Sequence, residues 1–360
     1  MNHREVLLEY PDLEDGGGVV SPADLPITVL SGGLINETWA LGRGYVLQRL
    51  HRIFSPDVNR DIAALVPHLL AGGVPVPSLV RTRNGEACVA VEHGDAAGTW
   101  RLLTRVPGVS RPRLNTAAEA ETAGRMVGRF HTALLEVRHV FAFTRPGVHD
   151  TSGHIARAVD ASDDPALSSH PLRDDVRRVV SELADRVERW GPVPSLPRRL
   201  IHGDLKVSNL LWSSAEPAAV TGVVDLDTMA SDGLDVELGD GLRSWCNVAA
   251  EDEPVPRFSL EVHALAMTGY LGVVAPWVTS AEVEALPAAT ERIALELAAR
   301  FAADALRESY FGWDSARYAT RGAHNLARAQ GQLFLARVLS GARPLLERNV
   351  ERALRAAKRL

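Results

Sequence analysis

Apolar positions in the first third of the chain come in short runs. Residues 27–30, 37–41 and 45–50 are apolar segments separated by glycines, a spacing that predicts consecutive antiparallel hairpin strands. One helix interrupts them. Ser55-Pro56-Asp57 supplies an N-cap, a proline at the first helical position and an acid at the positive helix end. Ile62, Leu65, Val66 and Leu69 then recur at helical spacing until Gly72-Gly73 ends the run. Strand patterning returns at 87–92 and 100–106. Past Pro107-Gly108 the period lengthens to that of helices. Thr116 with Glu119 makes a capping-box pattern, Met126, Val127, Phe130, Leu134 and Leu135 line one face, and Thr279 with Glu282 repeats the cap. Inside this helical part, 209–212 and 220–226 flank a Ser/Glu/Pro turn and read as a hairpin. The last helix is expected from about 344 to 360, amphipathic, with its arginines interrupted by Glu347 and Glu351 and facing solvent.

The elements predict an α+β fold of two lobes, a small antiparallel β lobe with one helix and a larger, mainly helical lobe that contains a hairpin. Residues 1–26, rich in Gly, Pro and Asp from 11 onwards, read as a flexible N-terminal arm. The β lobe is expected at 27–106, a hinge at 104–108 and the helical lobe at 109–360.

Composition narrows the class. A chain of 360 residues that is 46% hydrophobic and 23% charged buries a core without staples, which excludes disorder as its main state. With 39 basic and 45 acidic residues the net charge is −6, which argues against non-specific nucleic-acid binding, a role that needs surplus positive charge. Cys88 and Cys246 suffice for neither a disulfide framework nor a four-thiolate metal site, and a single bridge between them is left open. Residues 1–18 carry acids and no apolar core, unlike a secretory signal. The uncharged run 264–281 is broken by Gly269, Gly272 and Pro276 and reads as a buried helix end. The expectation is a cytoplasmic protein, a monomer or weak dimer, with no membrane or nucleic-acid partner.

The chemistry-bearing signal is His202-Gly203-Asp204-Leu205-Lys206-Val207-Ser208-Asn209, followed across the hairpin by Asp225-Leu226-Asp227. H-x-D-x4-N, a hairpin, then an aspartate ending a strand is the catalytic layout of protein-kinase-like enzymes. A hydroxyl that attacks the γ-phosphorus of ATP must lose its proton, and Asp204 is placed to accept it. Magnesium must neutralise the triphosphate and prefers oxygen ligands, which Asn209 and Asp225 supply. Lys206 is a candidate to hold a γ-phosphate oxygen as charge builds.

A second element is the glycine turn 31–38. Gly32 and Gly33 let a hairpin approach phosphates, with Asn36 and Thr38 beside them. The lysine that such a site usually carries on its third strand is missing. Gln48 or Arg49 takes its place, and strand alternation favours Gln48 facing inward with Val46. Thr104 and Val106 in the hinge offer backbone groups to an adenine edge.

These residues resemble the aminoglycoside phosphotransferase and choline kinase superfamily, and within it the chain is most similar to bacterial N-acetylhexosamine 1-kinases. The matching stretches are 33–38 (GLINET), 45–50 (YVLQRL), 53–59 (IFSPDVN), 223–228 (VVDLDT) and 239–243 (GDGLR), with Arg300-Phe301, Asp304, Tyr310-Phe311 and His324-Asn325-Leu326 beyond them. The resemblance implies that Asp204 is the base, that Asn209 and Asp225 bind magnesium, and that Arg243, Arg300, Asp304 and Ile35 lie near a sugar. Ser244-Trp245, the acidic loop 231–235 and Glu237 depart from the family pattern. For a polyhydroxy acceptor, Trp245, Tyr310, Phe311 and Trp313 are candidate stacking faces, and Asp227, Asp240, Arg243 and Arg300 are candidate hydroxyl partners. His131 and His324 read as core histidines.

The reading is therefore an ATP- and Mg2+-dependent sugar kinase acting on the anomeric hydroxyl of an N-acetylhexosamine or a related sugar. The alternatives are an aminoglycoside, amino-sugar or choline-type phosphotransferase, or a pseudokinase scaffold that binds nucleotide without catalysis.

Overall fold

The computed structural model describes residues 3–30, 35–190, 195–215, 218–249 and 255–359. Contacts group the chain into two compact units, the first from residues before 112 together with 129–144 and 209–230, the second from 112–128, 145–208 and the residues after 230. The hairpin at 209–230 thus groups with the β-rich part and not with the helices that surround it in sequence.

The first unit begins with the helix α1 (His3–Leu7) and a two-stranded ribbon, β1 (Leu13–Asp15) and β2 (Gly18–Val20). A six-stranded sheet follows, from β3 (Ile27–Val29), β4 (Glu37–Leu41), β5 (Tyr45–Leu50), β6 (Leu79–Val80), β7 (Val89–Val91) and β8 (Gly98–Thr104). Its order is β3-β4-β5-β8-β6, with β7 also on β8. The register pairs Thr38 with Gln48 and Gln48 with Arg101. Alternation then assigns the two faces. Leu47, Trp100 and Leu102 point to one side, where Val6, Leu7, Tyr10 and Leu13 bury themselves against them. The segment expected as a flexible arm is thus a cover for this sheet: Tyr10 is wholly buried and donates to the Trp100 carbonyl at 3.4 Å. Its Gly- and Asp-rich stretch is the turn of the β1–β2 ribbon, whose Asp15 carboxylate caps the backbone of Arg43 and Gly44 at 3.0–3.2 Å.

Gln48 and Arg101 point to the other face. The helix α2 (Val58–Ala71) contributes buried Ile62, Leu65, Val66 and Leu69, the periodic set read from sequence, to the core of this unit. It starts three residues after Ser55, whose hydroxyl accepts from the Asp57 N–H in a local turn at 3.2 Å and caps no helix. Buried Asp61 on α2 takes Ala142 N–H at 2.8 Å, Phe143 N–H at 3.0 Å and His139 Nε2 at 2.8 Å, which fastens 139–143 to the helix. β9 (Val109–Ser110) lies beside the hairpin strands β11 (Leu210–Trp212) and β12 (Val220–Val223), in the order β12-β11-β9.

Among the described residues the second unit is mainly helical, with β10 (Arg199–Ile201), the Ser231–Asp232 part of β13 (Ala230–Asp232) and an isolated bridge between Asn247 and Phe258. Its helices are the first part of α3 (Glu119–Leu134), then α4 (Thr151–Asp163), α5 (Arg173–Trp190), α6 (Leu234–Trp245), α7 (Leu260–Val274), α8 (Ser280–Arg307) and α9 (Arg321–Ala357). The core forms where Ala294, Ala298, Ala302 and Ala305 of α8 meet Val176, Val180 and Leu183 of α5 and Leu326, Leu333 and Ala336 of α9. Small residues let these backbones close up. A Cβ on Gly124 of α3 would stand 2.2 Å from the Ala266 carbonyl of α7, and one on Gly269 would stand 2.0 Å from the Glu121 carbonyl. The Thr279–Glu282 capping box is present in full. The last helix starts at Arg321, well before the expected 344, and passes through Pro344; burial of Leu333, Leu335, Leu339, Leu346 and Val350 holds it across the lost backbone bond. Among the described residues no helix is long and apolar enough to cross a membrane, and both cysteines are free thiols.

Candidate active site

In the first unit the hairpin brings two oxygen donors to one end. Leu210 opposes Val223, and Val224 N–H donates to the Asn209 carbonyl at 2.9 Å, so Asn209 and Asp225 leave the ribbon together. Asp225 has φ 67° and ψ 57°, the left-handed region that a non-glycine residue occupies at a cost of about 1–3 kcal/mol unless its surroundings hold it there. It starts the short turn Leu226–Thr228, whose middle residue is Asp227. An amide oxygen and a carboxylate are hard donors. Two protein ligands, with water and phosphate oxygens completing the shell, suit magnesium, which keeps its waters and is rarely caged by protein alone. Among the described residues no cluster of three or more His, Cys, Asp or Glu offers a competing metal centre.

Asp227, expected beside the acceptor, is instead sealed in the first unit. It is 1% exposed, and its carboxylate takes both Nη groups of Arg101 at 2.6 and 2.8 Å and the Asn36 amide at 2.6 Å. Asn36 in turn accepts from His51 N–H at 2.9 Å, so this expected nucleotide contact is spent on the fold. Gln48 accepts from Arg101 at 2.7 and 2.9 Å and donates to Thr38 at 3.2 Å. Arg49 faces the opposite side, paired with Glu37, donating to the Asp95 carbonyl at 2.9 Å and lying over the Trp100 ring. Thr104 pairs with Ser78 through backbone and hydroxyl at 2.9 Å, and Val106 packs against Gly222. Gly32 and Gly33 lie outside the described residues, while Ile35 at their edge is exposed.

In the second unit the loop after β10 is held by one helix. The Glu237 carboxylate of α6, 1% exposed, accepts from His202 N–H and Gly203 N–H, each at 2.8 Å. Ser244 Oγ accepts from Val207 N–H at 3.2 Å, and Trp245 Nε1 donates to the Leu205 carbonyl at 2.7 Å. Gly203 sits at φ 78°, a left-handed turn that lets the loop reverse ahead of Asp204. Glu237, Ser244 and Trp245, which depart from the family pattern, splint the loop backbone, and Trp245, buried at 2% exposure, is no stacking face for a sugar.

The splinted loop presents Asp204, whose Oδ2 lies 2.6 Å from Lys206 Nζ; the two side chains keep 24% and 29% of their surface open. On α6, Asp240 pairs with Arg243 at 3.1 Å. Burial raises the Asp240 pKa above the usual carboxylate range; Arg243 and His149 pull it down and the Asp204 charge pushes it up, so these four groups feel one another. His149 bonds through Nδ1 to buried Glu296 at 3.1 Å. Burial alone would lower its pKa, but the bond and charge of Glu296, with Asp240 and Asp232, hold it above the usual histidine value. Glu296 also accepts from Thr151 at 3.0 Å, and Arg292 pairs with Asp235 at 2.6 Å.

Two further expected acceptor residues lie apart in role. Asp304 is filled by Ser309, Tyr310 and Phe311 N–H at 2.8–2.9 Å and by the Asn325 amide at 2.9 Å, so it organises a loop and has no oxygen left for a ligand. Arg300 lies over the Phe311 ring, which packs on Phe301. His131 and His324 are buried, as expected of core histidines. Sequence reasoning missed Arg101, His149 and Glu296. Arg101 did carry a signal, a charge inside the apolar strand Trp100–Thr104.

A β-rich unit with one packed helix, a hairpin bearing Asn209 and Asp225, and a helical unit bearing an H-x-D loop define a kinase-like phosphotransferase. The protein-family model of APH, the phosphotransferase enzyme family, matches residues 26–263, and the chain belongs to that family. It is an ATP-dependent small-molecule phosphotransferase with an alcohol acceptor. The chain is 25% identical over 272 residues to the homoserine kinase of Granulibacter bethesdensis, covering 75% of this chain and 78% of that one. It is also 25% identical over 227 residues to the homoserine kinase of Zymomonas mobilis, covering 62% and 65%. A microcompartment-associated aminopropanol kinase shares the fold, with TM-score 0.62, 19% identity and coverage of 95% and 98%. These curated relatives are homoserine kinases and not N-acetylhexosamine kinases, so the finer resemblance draws no support from them.

Proposed function

We propose that the chain transfers the γ-phosphate of ATP to a hydroxyl of a small, net-neutral acceptor. Asp204 accepts the hydroxyl proton, and Lys206, its ammonium 2.6 Å away, holds a γ-phosphate oxygen as charge builds. Asn209 and Asp225 would hold the divalent ion, magnesium by their hard-donor chemistry, which supplies charge neutralisation of the triphosphate. The loop and hairpin are consecutive in sequence, Lys206 standing three residues before Asn209. Adenine would meet the backbone near Thr104 and Val106.

The observation that carries the acceptor class is charge pairing. Asp204 with Lys206, Asp240 with Arg243, Asp235 with Arg292 and Glu296 with His149 each match an acid to a base. Glu237 is consumed by backbone donors and Asp232 lies near Arg198 at 3.8 Å. A cluster so balanced has little field to attract a polycationic aminoglycoside or choline, and offers instead alternating donors and acceptors that suit hydroxyls. Together with the matching sequence stretches this supports a sugar, with the anomeric hydroxyl of an N-acetylhexosamine as the first choice. The second reading is a hydroxy amino acid, zwitterionic and also net-neutral, and the names of the curated relatives favour it.

A coupled ADP-release screen over N-acetylhexosamines, free hexoses, homoserine, amino alcohols and aminoglycosides decides between them, with phosphorus NMR locating the new ester. Turnover of homoserine but of no sugar would remove the first choice. Silence with every acceptor, despite tight nucleotide binding, would leave a scaffold.

A further inference from the structure

The sheet that lacks a lysine at Gln48 carries its cation one strand over. Arg101 on β8 is the cross-strand partner of Gln48 on β5 and is 2% exposed. A guanidinium has five N–H groups. Here Nε and Nη2 reach Gln48 Oε1 at 2.9 and 2.7 Å, Nη1 reaches Asn59 Oδ1 at 3.2 Å, and Nη1 and Nη2 grip the two oxygens of Asp227 at 2.6 and 2.8 Å. Every donor is used, so Arg101 has none to offer a phosphate. It joins two strands, α2 and the turn Leu226–Thr228 at one buried point.

That turn begins at Asp225, the candidate metal ligand in left-handed backbone. On its N-terminal side the hairpin bond from Val224 to Asn209 fixes the chain. On its C-terminal side Asp227 is the anchor, clamped by Arg101 and Asn36. We propose that Arg101 is a positioning residue for the metal end of the site: through Asp227 it holds the turn from which Asp225 presents its carboxylate, and it makes good the absent strand lysine by ordering a metal ligand instead of touching a phosphate. The inference rests on the phosphotransferase reading of Asp225. Outer partners of metal ligands commonly govern affinity by ~10- to 100-fold, and a bidentate, wholly buried arginine is the geometry in which such a partner is least replaceable by lysine.

The test uses the full-length protein, titrated calorimetrically with a non-hydrolysable ATP analogue with and without Mg2+. The readout is the gain in nucleotide affinity that Mg2+ confers. Arg101→Met with Asp227→Met removes both charges together, so no unpaired ion is left buried. This double variant is expected to fold with a lowered melting temperature, because Gln48, Asn59 and Asn36 each lose a partner, to bind metal-free nucleotide as the wild type does, and to lose ~10- to 100-fold of the Mg2+-dependent gain. Arg101→Lys keeps the charge without the fork, and should lose a smaller part of the same gain. Wild-type Mg2+ dependence in a folded double variant, or in Arg101→Lys should the double variant not fold, overturns the proposal. If the wild type itself shows no Mg2+-dependent gain, the metal-ligand reading of Asp225 falls and this inference with it; a gain that the variants retain sinks the inference alone.

Discussion

Both carboxylate oxygens of Asp227 accept hydrogen bonds from the protein, and the side chain is closed to solvent. Around Asp240, only 18% of the side chain is open, yet its pairing with Arg243 at 3.1 Å is looser, and burial leaves its pKa raised. Both are aspartates near the chemistry, and both were expected to meet the acceptor. The difference lies in how many donors the fold aims at each. Asp227 has a bidentate arginine and an amide, so its charge is fully compensated and its job is internal. Asp240 has one arginine, both of whose contacts fall on a single carboxylate oxygen.

The largest expected effect separates the two on stability. Arg101→Met leaves Asp227 buried without its partner and should cost about 3–5 kcal/mol of unfolding free energy in a urea titration. A loss below about 1 kcal/mol, the range of an exposed pair, would make the network ornamental. On the catalytic side, Asp204→Asn should lower the rate of the chemical step at least ~100-fold while the melting temperature stays near wild type. Near-wild-type turnover would take the proton-accepting role away from Asp204. The smallest effect sharpens the contrast directly. Because the folded pKa of Asp240 lies above its ordinary value of 3.8, this carboxyl favours the folded state most at low pH and becomes a cost as pH rises through the folded pKa. Asp240→Asn should therefore melt no lower than wild type at neutral pH, lose that standing below about pH 4, and raise the acceptor KM. A neutral-pH destabilisation on the Arg101 scale would place Asp240 in the scaffold with Asp227.

Much of this was legible beforehand. The strands at 37–41 and 45–50, the apolar face of α2, the Thr279–Glu282 cap and the hairpin after Asn209 follow from local periodicity and local chemistry, which neighbouring residues express without help. The H-x-D-x4-N spacing was legible for the same reason: a loop and the strand after it keep their side chains at distances fixed by chain geometry. Other expectations failed where distant residues decide. Nothing near Asp304 in sequence announces that Asn325 and three backbone amides will fill its carboxylate. Trp245 looked like a sugar platform until Leu205 and the core claimed it. The N-terminal segment looked loose because its glycines and aspartates are visible while the sheet face awaiting Tyr10 is not.

The amino-acid order by itself determined the reaction class and the residues that face one another across a single turn or ribbon. Tertiary structure alone decided which charges are spent and which are left to act. Arg101 and Asp227 stand 126 positions apart, and His149 and Glu296 stand 147 apart. Pairing over such separations depends on sheet register and helix packing, and burial then makes each pair strong, since the low-dielectric interior removes the water that would otherwise compete.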